Sequence, residues 1–160
     1  MQDKITIPVD IIYTPDYDFE TWGPLEPATD GSAGYDLRSC SKQTQYVAKG
    51  ETVLINLGIK IHIKDPNYCV LLLPRSGLGN KTGLVLGNLV GLIDSDYQGP
   101  LLAGAWNRNT VSGEDTVCVS YGDRIGQMIF VPVVHPRFNA VTEFDATERG
   151  EGGIGSSGVK

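Results

Sequence analysis

The chain has few of the side chains that soft-metal and imidazole chemistry rely on. Its 160 residues include only two histidines, His62 and His135, and three widely spaced cysteines, Cys40, Cys69 and Cys118. So few imidazoles argue against a histidine-rich metal centre or a His-based triad. The cysteines form no Cys-x-x-Cys pair and are odd in number, which argues against a zinc knuckle and a disulfide framework and suits a reducing cytoplasm. Basic residues are scarce as well: 13 Lys and Arg against 19 Asp and Glu leave a formal net charge of -6. Without a basic field, neither nucleic acid nor an anionic membrane is an expected partner, and any phosphate must be held locally. No apolar run approaches the roughly 18 residues of a membrane helix, and the opening MQDKITIPVD has no basic segment leading into an apolar one. A soluble, unprocessed chain is the expectation. Carboxylates and hard ions are left to carry the chemistry.

Glycine and proline are plentiful, with 20 and nine copies. Punctuation that dense favours short strands and tight turns over long helices, and the length fits one domain, so the expected class is all-β. The clearest periodicity places Val53, Ile55, Leu57, Ile59, Ile61 and Ile63 at alternate positions, as in a strand with one buried face. Further strands are expected over Ile5–Tyr13, Tyr68–Leu73, Leu89–Ile93, Leu101–Trp106, Thr116–Ser120 and Ile125–Val134, between turn clusters such as DPN, YQGP and NTVSGED. Ser76–Leu84 suggests one short helix with Ser76 as N-cap. Residues 14–31 read as a loop. The end of the chain, ERGEGGIGSSGVK, holds five glycines and two serines and reads as a mobile tail.

Three segments carry candidate chemistry. In LLLPRSGLGNKTG, Arg75 and Ser76 follow an apolar strand beside glycines whose backbone N–H groups an anion can approach, so a phosphate cradle and an ordinary strand-to-turn junction are both open readings. It is not a Walker A loop, because Asn80 precedes Lys81 where glycine is required. NLVGLIDSDYQGP reads as a hairpin with Tyr97 before Gly99-Pro100, and Asp94 and Asp96 either share one face of a persisting strand or occupy turn positions. The tail's Gly150, Gly152 and Gly155 match G-x-G-x-x-G, but no strand-helix unit can follow so near the end. Arg149 on a Gly/Ser tail better suits a flap closing over phosphates, although the segment in isolation favours a disordered tail with no role.

In order along the chain stand AGYDL (Ala33–Leu37), PRSGLG (Pro74–Gly79), GNLVGLIDSDYQG (Gly87–Gly99), GDRIGQ (Gly122–Gln127) and RGEGGIGSSG (Arg149–Gly158). This series closely resembles the five ordered motifs of the trimeric dUTPases, above all the bacterial type. The resemblance implies a distorted jelly-roll or β-barrel with at most one short helix, a domain over residues 1–147 and a flap over 148–160. It further implies a homotrimer whose sites combine a uracil-binding hairpin, phosphate-binding motifs and a flap from three chains. The implied reaction is magnesium-dependent hydrolysis of dUTP to dUMP and pyrophosphate.

By motif position, Asn88, Gly91, Leu92, Ile93 and Asp94 should read uracil, with Leu102 completing that pocket and Tyr97 packing under the sugar. Asp94 should also bind the 3′-hydroxyl region and position or deprotonate the attacking water. Arg75, Ser76, Gly77 and Gln127 should hold phosphates, with Arg149, Ser156 and Ser157 clamping them from the flap. Mg2+ is expected on the phosphates and water, with no direct protein ligand, and Asp36 either supports its water shell or pairs with an arginine. Ile154 stands where the family commonly has a phenylalanine that stacks on the base, and Gly126 replaces a common alanine. The dCTP deaminases share the fold, but DSDYQG and the complete tail motif favour the hydrolase.

Overall fold

The computed structural model describes residues 6–109 and 115–153. Ten strands and two short helices follow in order: β1 (Asp10–Tyr13), α1 (Phe19–Trp22), β2 (Tyr35–Arg38), β3 (Gln45–Ala48), β4 (Thr52–His62) and β5 (Tyr68–Pro74), then α2 (Ser76–Thr82), β6 (Leu84–Leu86), β7 (Gly91–Ile93), β8 (Pro100–Asn107), β9 (Thr116–Val119) and β10 (Arg124–Pro132). All the described pairings are antiparallel. They form one sheet of order β1-β4-β8-β6, a second of order β2-β10-β5-β7, and a small β3-β9 ribbon. The all-β expectation holds. The sheets are open rather than closed into a barrel, because β1, β6, β2 and β7 each have a partner on one edge only among the described residues.

The period-2 pattern of β4 builds the core. Ile55, Leu57, Ile59, Ile61 and Ile63 are all buried, meeting Val70 and Leu72 of β5 and Leu101 and Ala103 of β8 in one apolar cluster. Gly58 interrupts this strand at φ +71°, in a stretch where the register with β8 shifts between Asn56 and Lys60. A Cβ there would run into the Cys40 thiol, so only glycine suits both the backbone and the space.

Four expectations need correction. Ser76 is the first helical residue of α2 and not its cap, since Arg75 occupies the cap position and Gly83 ends the helix in the left-handed conformation. A second helical turn, α1, lies in the supposed loop, nucleated by Asp18, whose Oδ1 accepts the Thr21 N–H at 3.0 Å. Leu89 begins no strand: it has φ +62° in the turn from β6 to β7, where Leu89 N–H donates to Leu86 C=O at 2.9 Å. Finally, β7 and β8 do not pair as a hairpin. Both edges of β8 are taken by β4 and β6, so β7 joins the free edge of β5, and residues 94–99 form an arch from one sheet to the other.

Candidate active site

Antiparallel register gathers the first group of polar side chains. Gln127 of β10 lies opposite Asp36 of β2 on one side and Leu73 of β5 on the other, while Arg75 and Ser76 follow directly where β5 passes into α2. The result is an open cleft of about 390 Å³ lined by Asp36, Arg75, Ser76, Gly77, Lys81 and Gln127, among others. Within it the Arg75 guanidinium grips Asp36 at two points, Nε to Oδ1 at 2.9 Å and Nη2 to Oδ2 at 3.4 Å. Arg75 Nη1 also donates to Arg124 C=O at 3.4 Å. Gln127 Nε2 donates to Pro74 C=O at 3.1 Å, and its Oε1 lies 2.6 Å from where a Cβ on Gly34 would stand. Any side chain at position 34 would therefore displace this amide.

A β-bulge adds a second arginine. Between Arg124 and Gly126 the register of β10 against β2 slips, so Arg124 faces Arg38 while Gln127 faces Asp36. Residues three apart on a regular strand point to opposite faces, and the extra residue restores Arg124 to the side of Asp36. Arg124 Nη1 reaches Asp36 Oδ2 at 3.4 Å. Asp36 is thus an arginine partner.

The second cleft, about 480 Å³, opens beside the turn between β6 and β7 and against β8, with Asn88, Gly91, Leu102, Thr52 and Leu54 in its lining. Leu72 lies directly beneath Gly91, its Cβ 3.0 Å from where a Gly91 Cβ would be, so the backbone itself forms the wall there. The two clefts share no lining residue.

Other expected residues lie outside both linings. Leu92 is exposed, and Tyr97 arches over Gly99 with its hydroxyl donating to Pro100 C=O at 3.1 Å. The Asp94 side chain is exposed and has no hydrogen bond or ion pair among the described residues. Burial first, and the Asp94 carboxylate second, push the neighbouring Cys69 thiol up from its ordinary pKa. Arg149 Nε donates to Gly152 C=O at 2.8 Å in a local turn and is in neither lining. Ile154, Ser156 and Ser157 lie outside the described residues. Among the described residues no group of three or more His, Cys, Asp or Glu side chains is placed to hold a metal ion.

A cationic cleft and an amide-bearing apolar cleft on one β scaffold suit a ligand with a polyphosphate at one end and a planar base at the other. The family model described as dUTPase matches residues 20–158. The chain belongs to the dUTPase family. It is 60% identical over 131 residues to the deoxyuridine 5′-triphosphate nucleotidohydrolase of Actinobacillus pleuropneumoniae, covering 82% of this chain and 84% of that protein. The Escherichia coli K12 protein of the same name is 58% identical over the same shares. Among solved structures, a mutant dUTPase of Staphylococcus bacteriophage 80alpha with dUpNHpp superposes with a TM-score of 0.81 at 26% identity, over 96% of this chain and all of that one.

Relative to the family motifs, the structure adds residues to both clefts of this dUTPase. Lys81 joins the lining of the first cleft, where Gly34 leaves room for the Gln127 amide, and Thr52, Leu54 and Gly104 join the lining of the second. Gly34 and Lys81 were visible within or beside motifs. Thr52, Leu54 and Gly104 carry no local signature, because they reach the cleft only through the pairing of β4 with β8.

Proposed function

We propose that this chain hydrolyses dUTP to dUMP and pyrophosphate in the cytoplasm. The observation that carries this reading is the pairing of the Arg75–Ser76–Gly77–Gln127 cleft with the Asn88–Gly91–Leu102 cleft in a member of the dUTPase family. In the base cleft the Asn88 carboxamide and the backbone from Gly91 to Asp94, through Leu92 and Ile93, read the uracil imide. Cytosine there leaves a buried group unpaired, at a cost of about 1–3 kcal/mol. A side chain at position 91 would run into Leu72, so bare backbone forms this wall and stands against a thymine methyl. Tyr97 packs under the deoxyribose and excludes a 2′-hydroxyl.

The chemistry is a displacement at the α-phosphorus. Asp94 orients water and accepts its proton as the new P–O bond forms, the bond to the bridging oxygen breaks, and pyrophosphate leaves. An exposed carboxylate with no partner among the described residues is available for that role. Such a reaction gains chiefly from alignment and charge neutralisation, which Arg75, Ser76, Gly77 and Gln127 supply, with Arg149, Ser156 and Ser157 arriving on the flap over residues 148–160 and Ile154 covering the base. Asp36 is already held by two arginines, so the cleft suits a Mg2+ ion carried by the triphosphate oxygens and water, with Asp36 as a water-mediated contact at most. When bound, the ion neutralises and gathers the phosphate oxygens.

The active unit is a homotrimer. Beyond β10 the chain exposes Val134, Phe138 and Phe144 at 87%, 91% and 92%, side chains that a neighbouring subunit would cover. A trimer also joins a base cleft and a phosphate cleft that share no residue within one chain.

Pyrophosphate release measured with dUTP, dCTP, dTTP and UTP in Mg2+ tests the assignment. The expected result is a preference for dUTP of about a hundredfold or more over each competitor. Ammonia from dCTP, or no pyrophosphate from dUTP, would overturn it.

A further inference from the structure

Residues 14–25 form a strap whose purpose the sequence does not disclose. Tyr13, Tyr17, Phe19 and Trp22 pack ring against ring along it, with centroids 4.6–6.5 Å apart. It is tied down at both ends, by Thr14 N–H to Gly58 C=O at 2.8 Å and by Leu25 N–H to the Tyr13 hydroxyl at 2.8 Å. Midway, the Tyr121 hydroxyl donates to Asp16 C=O at 2.8 Å. The strap residues Trp22 and Leu25 line an open pocket of about 200 Å³ together with Asp36, Arg38 and Arg124. The strap therefore backs the arginine–aspartate group of the phosphate cleft.

A continuous set of contacts links the two. The Arg38 guanidinium lies 5.2 Å from the Trp22 ring centroid and donates through Nη1 to Gly122 C=O at 2.8 Å. Trp22 also packs on Tyr121, centroids 5.2 Å apart, and lies 3.3 Å from where a Gly122 Cβ would stand. Gly122 has φ +86° in the turn that delivers Arg124, and that turn is pinned to β2 by Ser39 N–H to Asp123 C=O at 2.8 Å. Arg124 then meets Asp36, and Asp36 holds Arg75.

We infer that Trp22 is a positioning residue for phosphate binding: it fixes Arg38, Arg38 fixes the 120–123 turn, and the turn sets Arg124 against Asp36 so that Arg75 is held ready for the triphosphate. The inference rests on the dUTPase reading of the cleft. It assigns the strap a role in recognising phosphates and none in recognising the base.

The test compares kcat and KM for dUTP, and inhibition by deoxyuridine, in the wild type, Trp22→Ala, Trp22→Phe and Arg38→Lys. Trp22→Ala should weaken capture of dUTP about three- to tenfold, the scale of a lost cation–π contact and its coupled neighbours, while deoxyuridine inhibits as before. Trp22→Phe keeps a ring over Arg38 and should recover most of the loss. Where Trp22→Ala fails to fold, Arg38→Lys carries the test, because it keeps the charge but loses the planar stack, and the same selective loss is expected. Equal weakening of dUTP and deoxyuridine, or unchanged kinetics for dUTP, would overturn the inference. Failure of the dUTPase reading would appear separately, as absence of dUTP turnover in the wild type.

Discussion

At the scale of single residues, the account turns on groups whose chemistry the structure leaves free and groups it commits. Asp94 is free: its carboxylate is exposed and has no partner among the described residues. Asp36 is committed to Arg75 and Arg124. The first therefore suits proton transfer and the second charge organisation. Replacing Asp94 with Asn should lower kcat by about 10²- to 10⁴-fold while leaving the melting temperature and oligomeric mass unchanged, because an amide of the same shape cannot accept the proton. Steady-state kinetics beside a thermal melt check this, and near-normal turnover would remove Asp94 from the reaction. Arg75, Gln127 and Asp94 all sit inside short motifs; the structure brings the first two into one cleft and leaves Asp94 outside both linings. The reason position 34 must be glycine was not legible in the sequence, since it depends on the Gln127 amide delivered by another strand.

Among the elements, legibility followed periodicity. The alternation over Val53–Ile63 foretold β4 and its buried face, and it is the centre of the sheet that carries the base cleft. The strands β2, β3 and β6, of three or four residues, are too short for a period to register. Apolar residues around Leu89 imitated a strand, whereas the Gly87-Asn88 pair turns the chain there. Whether β7 pairs with β8 or β5 depends on which edges are already occupied, a property of the assembled sheet and not of either segment. Residues 148–153 contribute nothing to the buried core, so deleting residues 149–160 should leave cooperative unfolding intact and reduce dUTP hydrolysis to background. Loss of the cooperative transition in a thermal melt would show instead that the tail belongs to the folded core.

For the molecule as a whole, the central claim is that catalysis belongs to the assembly. One chain holds a cationic cleft on the β2-β10-β5 side and an amide-bearing cleft against β8 and β4, with separate linings, and exposes Val134, Phe138 and Phe144 after β10. Composition and motifs made the class of the fold plain. The division of the site was implied only by resemblance, because no single chain records which surface its neighbour covers. The most direct measurement is dUTP hydrolysis by trimers co-expressed from two inactive variants, Asp94→Asn and Arg75→Ala. If each site takes its Asp94 and its Arg75 from different chains, random assortment gives about a quarter of the sites both intact residues, and turnover should return to about that fraction of wild type. Mixed trimers as inactive as either parent would contradict a shared site.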